Sequence, residues 1–495
     1  MLFKLYEQIL TSLLWNFLNI GEPEIANAYL QKLQKLQQLQ QLQQKSQNAN
    51  FSTRIQQKIL ETKLFLDNYR YGTTPQQMGD NAKNYAKFLV ENLHLSPQFD
   101  FSKYKNPKNS KRLHLKLGFV SGDFKAHPSS YFLLGLLNAL QNLQTSQDKK
   151  IKKIKKITFD FYFYNNCKQT DEITLKIKAL ARDWTDIYNL DDLQTANKIY
   201  ADKIQILFDL SGHTALNRLQ MFALKPAPIQ ISWIGWFGSS GVASMDYFAG
   251  DNFLIPKNSE NLEQQFCEKF LRFQNIWLVY TPPENMPKVK ETPLLKNNFI
   301  TFGCVQNINK VNENVIKTWA KILNSLPNSQ FCWVRFQFID ETLKQRVFQK
   351  FAKYNVDISK INLICNHDHA EYLAAYEKFD FILDTFPVSG GTTTCEALWQ
   401  GVPILTLCGN LMASRLSASC LQNVGLNDWV CHNENEYVEK AVNLANTFLQ
   451  NPQQLNDLRL HLREQMKNSP LCDANLFAQN FQNTMQNIWN DFVNS

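Results

Sequence analysis

No CxxC pair occurs among the ten cysteines of this 495-residue chain, and no His/Cys spacing in it suits zinc. The cysteines are scattered, and Cys304, Cys332 and Cys408 stand in strand-like apolar surroundings, as small core residues do. Thiols used in this way fit a reducing cytoplasm. No uninterrupted apolar run approaches the roughly 18 residues a spanning helix needs, so none is expected. The opening stretch MLFKLYEQILTSLLWNFLNIG could be an export signal, but Glu7 and Gln8 interrupt it and no small-residue cleavage site follows. The chain has no Gly-x-Ser-x-Gly elbow and no Ser-His-Asp spacing, so no hydrolase is indicated. Charge is scarce too, at 19% against 44% hydrophobic residues, which argues for large buried cores and against wholesale disorder.

What charge there is sums to +8, and much of it lies in one run from Lys149 to Lys156. Placed just before the strand-like Ile157–Tyr162, the run reads as a solvated basic loop and strand entry. An acidic partner, an anionic membrane surface or nucleic acid is the other use such a run can have. The length suggests about three units. Residues 1–107 read as helical, with Leu5, Ile9, Leu13 and Phe17 at helical spacing and a break at Glu22-Pro23-Glu24. Gln31–Asn50 is glutamine-rich. Its leucines, Leu33, Leu36, Leu39 and Leu42, recur every three residues, which fits a solvated helix or partly ordered linker, or else a helix that binds a partner protein.

A polar stretch, Ser96–Lys111, marks the boundary to an α/β domain assigned to 108–285. Its strands are expected at Leu113–Val120, Phe159–Tyr164, Ile206–Leu210, Ile229–Trp233 and Tyr247–Ala249. The proline-containing link Thr281–Pro293 leads into a second α/β domain, 286–495. There strands are expected at Phe299–Cys304, Gln330–Arg335, Ile361–Ile364, Phe381–Leu383 and Ile404–Leu407, with a closing helix at Ala474–Phe492. Two doubly wound domains with a cleft between them suit an enzyme that holds two substrates, although fold alone names no reaction.

The most informative stretch is Phe379–Arg415, which reads strand, glycine turn, helix, strand. Gly390 and Gly391 let the main chain approach a ligand, and a helix N-terminus is a ready site for phosphate. The hydroxyls of Thr392, Thr393 and Thr394 can donate to phosphate oxygens, and Glu396 can accept from a sugar hydroxyl beside them. The alternative is that Thr392 caps the helix and the glycines turn the chain. Lys310, after the first strand of the second domain with Asn307, either neutralises that phosphate or is a surface charge. His127, after the first strand of the first domain, suits a general base or a helix-entry residue. His213 follows another strand, and Asp202 precedes that strand as a loop carboxylate.

Four stretches in order then resemble one family: Gly118–Tyr131, Leu210–Tyr247, Asn307–Ser329 and Leu383–Gly409. They look like the catalytic region of the O-linked N-acetylglucosamine transferases and the plant SPINDLY protein, glycosyltransferase family 41, over residues 108 to 490. The resemblance implies a GT-B fold of two Rossmann-like domains. It also implies inverting, metal-independent transfer of a sugar from a nucleotide diphosphate to a protein side chain, with no cofactor. By position it implies that Lys310 holds the diphosphate, that Thr392 and Thr393 contact phosphates, and that Glu396 binds the ribose. Tyr372 falls at a base-contacting position, His127 lines the active site, and Asp202 matches an acid considered in proton removal. Gly391 and Tyr372 stand where the animal enzymes carry histidines, and Asn307 where they carry glutamine. These departures are closer to the SPINDLY pattern and bring GDP-fucose forward as a donor beside UDP-N-acetylglucosamine. A related branch glycosylates asparagine, and a non-catalytic nucleotide-sugar sensor is the reading from another class. The family's N-terminal part is an array of tetratricopeptide repeats. No clear repeat of about 34 residues is visible here, so any array is short or degenerate.

Overall fold

The computed structural model describes residues 2–43, 49–92, 99–105, 113–145, 157–283 and 286–495. The basic run at 149–156 lies outside them, as do parts of the glutamine-rich stretch and of the 96–111 boundary. Four helices open the chain: α1 (Leu2–Asn19), α2 (Pro23–Gln43), α3 (Ala49–Tyr69) and α4 (Pro75–Asn92). Expected as one block, they divide between two compact units. One unit comprises Met1–Thr73 and Pro282–Ser469, the other Thr74–Thr281 and Pro470–Ser495.

In the unit that holds Thr74–Thr281, seven strands form one parallel sheet: β1 (Leu113–Ser121), β2 (Ile157–Asn165), β3 (Asp183–Asp186), β4 (Ile206–Asp209), β5 (Ile229–Ser232), β6 (Tyr247–Asp251) and β7 (Lys269–Phe273). Their order is β3-β2-β1-β4-β5-β6-β7. Sequence order reverses between β1 and β4, the switch point where open α/β sheets leave a crevice. Strands covered on both faces need continuous apolar runs, and Ile206–Asp209 and Ile229–Ser232 are buried throughout. The edge strands β3 and β7 carry Asp183, Asp186, Lys269 and Arg272, so hydrophobic pattern alone misses them. The closing helix, Ala474–Asn494, belongs to this unit and not to the second sheet. It seats Phe481 against Phe208 at a ring separation of 5.8 Å and Phe477 against Phe273 at 5.6 Å.

The other unit carries a six-stranded parallel sheet: β8 (Ile300–Cys304), β9 (Ser329–Val334), β10 (Ile361–Ile364), β11 (Phe381–Leu383), β12 (Ile404–Leu407) and β13 (Val430–Cys431). The order is β10-β9-β8-β11-β12-β13, with the reversal between β8 and β11. Helices α1–α3 belong here and share an apolar core that includes Leu10, Leu14, Leu18, Leu33 and Leu36. The leucines read as part of a solvated stretch thus bury two of their number, because α1 and α3 supply an apolar face that local sequence does not reveal.

Candidate active site

The second sheet brings two of its strand ends together at the switch point. β8 runs out into Val305 and Gln306, and Asn307 opens the short 3-10 turn Ile308–Lys310, its carbonyl accepting from the Lys310 amide at 3.0 Å. Its neighbour β11 is followed directly by Asp384, whose carboxylate is wholly buried. Asp384 Oδ1 accepts from the amides of Thr385 (2.9 Å) and Gly390 (3.0 Å), and Oδ2 accepts from Thr406 Oγ1 at 2.7 Å. Burial raises its pKa, and the Lys310 ammonium is among the groups that oppose the shift.

Gln306 joins the two loops. Its side-chain N–H donates to Asp384 Oδ1 (3.1 Å) and Thr393 Oγ1 (2.9 Å), while its carbonyl accepts from Lys310 Nζ at 3.1 Å. Lys310 Nζ also donates to the Ser389 carbonyl at 2.9 Å. Burial pushes the lysine down to about 8, with the Asp384 charge opposing.

The helix Thr392–Trp399 starts beside this network, with Gly391 as an N-cap that offers no side-chain bond. The first backbone N–H groups of a helix have no intrahelical acceptor, so this end presents donors and the positive pole of the helix. Space beyond Gly391 is open, whereas a Cβ on Gly390 would lie 2.3 Å from Thr394 Oγ1 and 2.5 Å from Gln306 Nε2. Gly390 is therefore required by the loop's own packing. The three threonines also separate. Thr392 and Thr393 are half-buried, but Thr394 is buried with its hydroxyl on Ser417 Oγ at 2.8 Å, so it faces inward and not toward a ligand.

Glu396 lies one turn further on and accepts from the Tyr372 hydroxyl at 3.0 Å. That bond, and a second between the Tyr372 and Tyr376 hydroxyls at 2.9 Å, draw Tyr372 into the core. The position expected to meet a base is thus packed away, because its helical register turns it inward. His369, one turn earlier, holds the outer place: its ring stacks on Tyr372 at 5.8 Å and its Nε2 is 3.6 Å from Glu396 Oε1. The Glu396 carboxylate beside it raises its pKa.

In the β1–β7 unit, His127 follows β1 and precedes the helix Pro128–Thr145. Its Nδ1 accepts from the Ser129 amide at 3.4 Å and lies 3.8 Å from Asp123 Oδ2, and the side chain is 39% exposed, so the ring reaches solvent. Burial lowers its pKa, with Asp123 opposing, which keeps the imidazole neutral near pH 7. His213 follows β4 but is buried, wedged between Tyr85 of α4 (4.9 Å) and Trp236 (5.4 Å), with Nε2 on the Ser240 carbonyl at 2.8 Å. Burial pushes it down to about 4. It is a core histidine and does not line an open site.

Asp202 is not brought to His127. It precedes β4, at the amino edge of the sheet, while His127 follows β1 at the carboxyl edge. Lys198 holds its carboxylate at 2.7 Å, the Tyr164 hydroxyl donates to it at 2.8 Å, and Lys116 bonds its carbonyl. Sequence reasoning missed Gln306, Asp384 as the hub of the turn, and His369. The signal open to it was their place, each lying just after a strand or at the start of the helix that follows one.

The family model described as Glycosyl transferase family 41 matches residues 71–298 and 288–481. A tomato (Solanum lycopersicum) protein named probable UDP-N-acetylglucosamine–peptide N-acetylglucosaminyltransferase SPINDLY is 32% identical over 437 residues, 87% of this chain and 44% of that protein. The Petunia hybrida protein of the same name is 34% identical over 79% of this chain and 40% of its own length. The Arabidopsis thaliana protein named SEC, with the same enzyme description, is 29% identical over 76% and 37%. The chain spans less than half the length of these relatives. Among solved structures, a Thermobaculum terrenum O-GlcNAc transferase mutant superposes with a TM-score of 0.81 at 26% identity, covering 96% of this chain and 83% of that one. With two doubly wound parallel sheets, each reversing at its switch point, and a family match across most of its length, this chain is a member of glycosyltransferase family 41 with the GT-B fold.

Proposed function

We propose that the protein is an inverting glycosyltransferase that moves N-acetylglucosamine from UDP-N-acetylglucosamine to a serine or threonine hydroxyl of a protein. The observation that carries this reading is the Lys310–Gln306–Thr393 network at the open N-terminus of the helix Thr392–Trp399. A diphosphate bound there meets the ammonium of Lys310, the hydroxyls of Thr392 and Thr393, and free backbone N–H groups. As the acceptor oxygen bonds to the anomeric carbon, the bond from that carbon to the diphosphate oxygen breaks, and the negative charge left on the nucleotide is held by these donors. The hydroxyl proton passes to a base, for which the neutral, solvent-reaching imidazole of His127 is the candidate. In this reading Glu396, with His369 beside it, accepts from a ribose hydroxyl.

Cationic side chain and helix dipole together supply the charge stabilisation, so the reading invokes no metal and no cofactor. Among the described residues no group of three or more His, Cys, Asp or Glu side chains could hold a metal ion. No helix among them is long and apolar enough to cross a membrane. All ten cysteines are free thiols, which supports a cytoplasmic setting. The competing donor is GDP-fucose, favoured by the SPINDLY-like residues Asn307 and Gly391. Calorimetric titration with both nucleotide sugars decides between them. Tighter binding of UDP-N-acetylglucosamine is expected, and preference for GDP-fucose overturns the donor assignment. Mass mapping of a modified acceptor then separates Ser/Thr from Asn, and donor binding without any turnover in a lysate points to the sensor.

A further inference from the structure

The corner between α1 and α2 sits on the turn that carries Lys310. Gly21 makes that corner at a φ of +77°, and a Cβ added to it would lie 2.7 Å from both the Ile308 and the Val311 carbonyl oxygens. These two carbonyls bracket Lys310 in the chain. Lys350 clamps the same corner, with Nζ 2.7 Å from Glu22 Oε1 and 3.5 Å from the Gly21 carbonyl. At the far end of α3, the Tyr69 hydroxyl faces the side chain of Asn309, the residue before Lys310; burial raises the tyrosine pKa to about 12, with Asn309 opposing.

Two residues on, Tyr71 reaches the other loop of the site. Its ring packs on Phe386 at 6.3 Å, within the Asp384–Gly391 turn, and its hydroxyl bonds Glu434, which also accepts from Thr318 Oγ1 at 3.0 Å. The N-terminal helices thus touch both segments that supply the donor-binding groups. A turn of three residues has little rigidity of its own, and a lysine placed on it loses affinity through every conformation it must give up on binding.

We infer that Gly21, Tyr69 and Tyr71 are positioning residues of the nucleotide site, so that the α1–α3 bundle acts as a rigid backing for the Lys310 turn and the Phe386 loop. The inference rests on the proposed reading of Lys310 as the diphosphate ligand. It gives the short helical region a task at the donor end, apart from any part in choosing the acceptor.

The test is calorimetry of the whole chain with UDP, and with GDP in parallel, alongside thermal melting. Gly21→Ala is expected to weaken nucleotide binding roughly tenfold, the scale of a small misplacement of a binding group. Tyr69→Phe and Tyr71→Phe, which keep their rings, are expected to weaken it about two- to fivefold each. Leu10→Ala serves as the control: it opens the bundle core roughly 16 Å along α1 from Gly21, and should lower the melting temperature with affinity unchanged. Unchanged affinity in all three positioning variants overturns the inference, as does an equal loss in Leu10→Ala. A wild type that binds neither nucleotide overturns the donor-site reading itself and this inference with it.

Discussion

His369 and Glu396 meet across 3.6 Å beside the first turns of the helix that begins at Thr392, and the imidazole stacks on the ring of Tyr372. The carboxylate raises the histidine pKa above its ordinary value of about 6.5. A raised histidine contributes stability that is present below that ordinary value and is lost as pH rises through the folded one. The ring is well exposed, so the contribution is small. In an NMR titration His369 should have a midpoint above that of a free histidine, and Glu396→Gln should bring it down. An unchanged midpoint in that variant would show that the pair does not couple.

Lys310 should make nucleotide binding depend on pH in the opposite range. Burial sets its pKa at about 8 in the free protein, and a diphosphate binds the protonated form. Affinity for UDP is therefore full below that pH and falls above it, by up to about tenfold per unit. Calorimetry in two buffers of different ionisation enthalpy, at a pH just above this value, should register proton uptake on binding. Lys310→Arg should abolish the dependence, and Lys310→Ala should cut transfer roughly a hundred- to a thousandfold while the circular dichroism stays native.

His127 belongs to the acceptor chemistry in the proposed reading, so its loss should spare the donor. His127→Ala is expected to lower kcat about a hundredfold or more with KM for the nucleotide sugar nearly unchanged. Burial lowers the pKa of this base, so the acid limb of the rate profile should lie below that of a free histidine. A rise in donor KM with kcat intact would move the residue to the donor side.

His213 should be visible in stability and not in turnover. Its folded pKa of about 4 lies below the unfolded value of about 6.5, so the neutral ring's contribution is present above the unfolded value and is lost as pH falls toward the folded one. The full range corresponds to about 3 kcal/mol. His213→Gln keeps a donor for the Ser240 carbonyl but cannot ionise. Urea unfolding at about pH 7 and about pH 5 should show a smaller difference in this variant than in the wild type.

Much of the candidate nucleotide site was legible because buried parallel strands are continuous apolar runs. Phe381–Leu383, Ile404–Leu407 and the glycine turn between them stand out, and a lysine just past a strand is a reasonable ligand before any neighbour is known. Strand adjacency was not legible. Gln306 matters because β8 lies beside β11, and the two are far apart in sequence. Helical register hid the rest: Thr394 and Tyr372 carry useful chemistry, yet each turns inward, while His369 takes the exposed place beside Tyr372. Asp202 entered as an acid only by resemblance, and its position before β4 already placed it at the opposite end of the sheet from His127.

The closing helix sets an order on synthesis. Phe477 and Phe481, which cover Phe208, Trp233 and Phe273, emerge only after the whole of Pro282–Ser469 has been made. In vectorial synthesis all seven strands of that sheet are therefore made before the side chains that cover this aromatic patch. A fragment ending before Pro470 would lack the side chains that cover that patch.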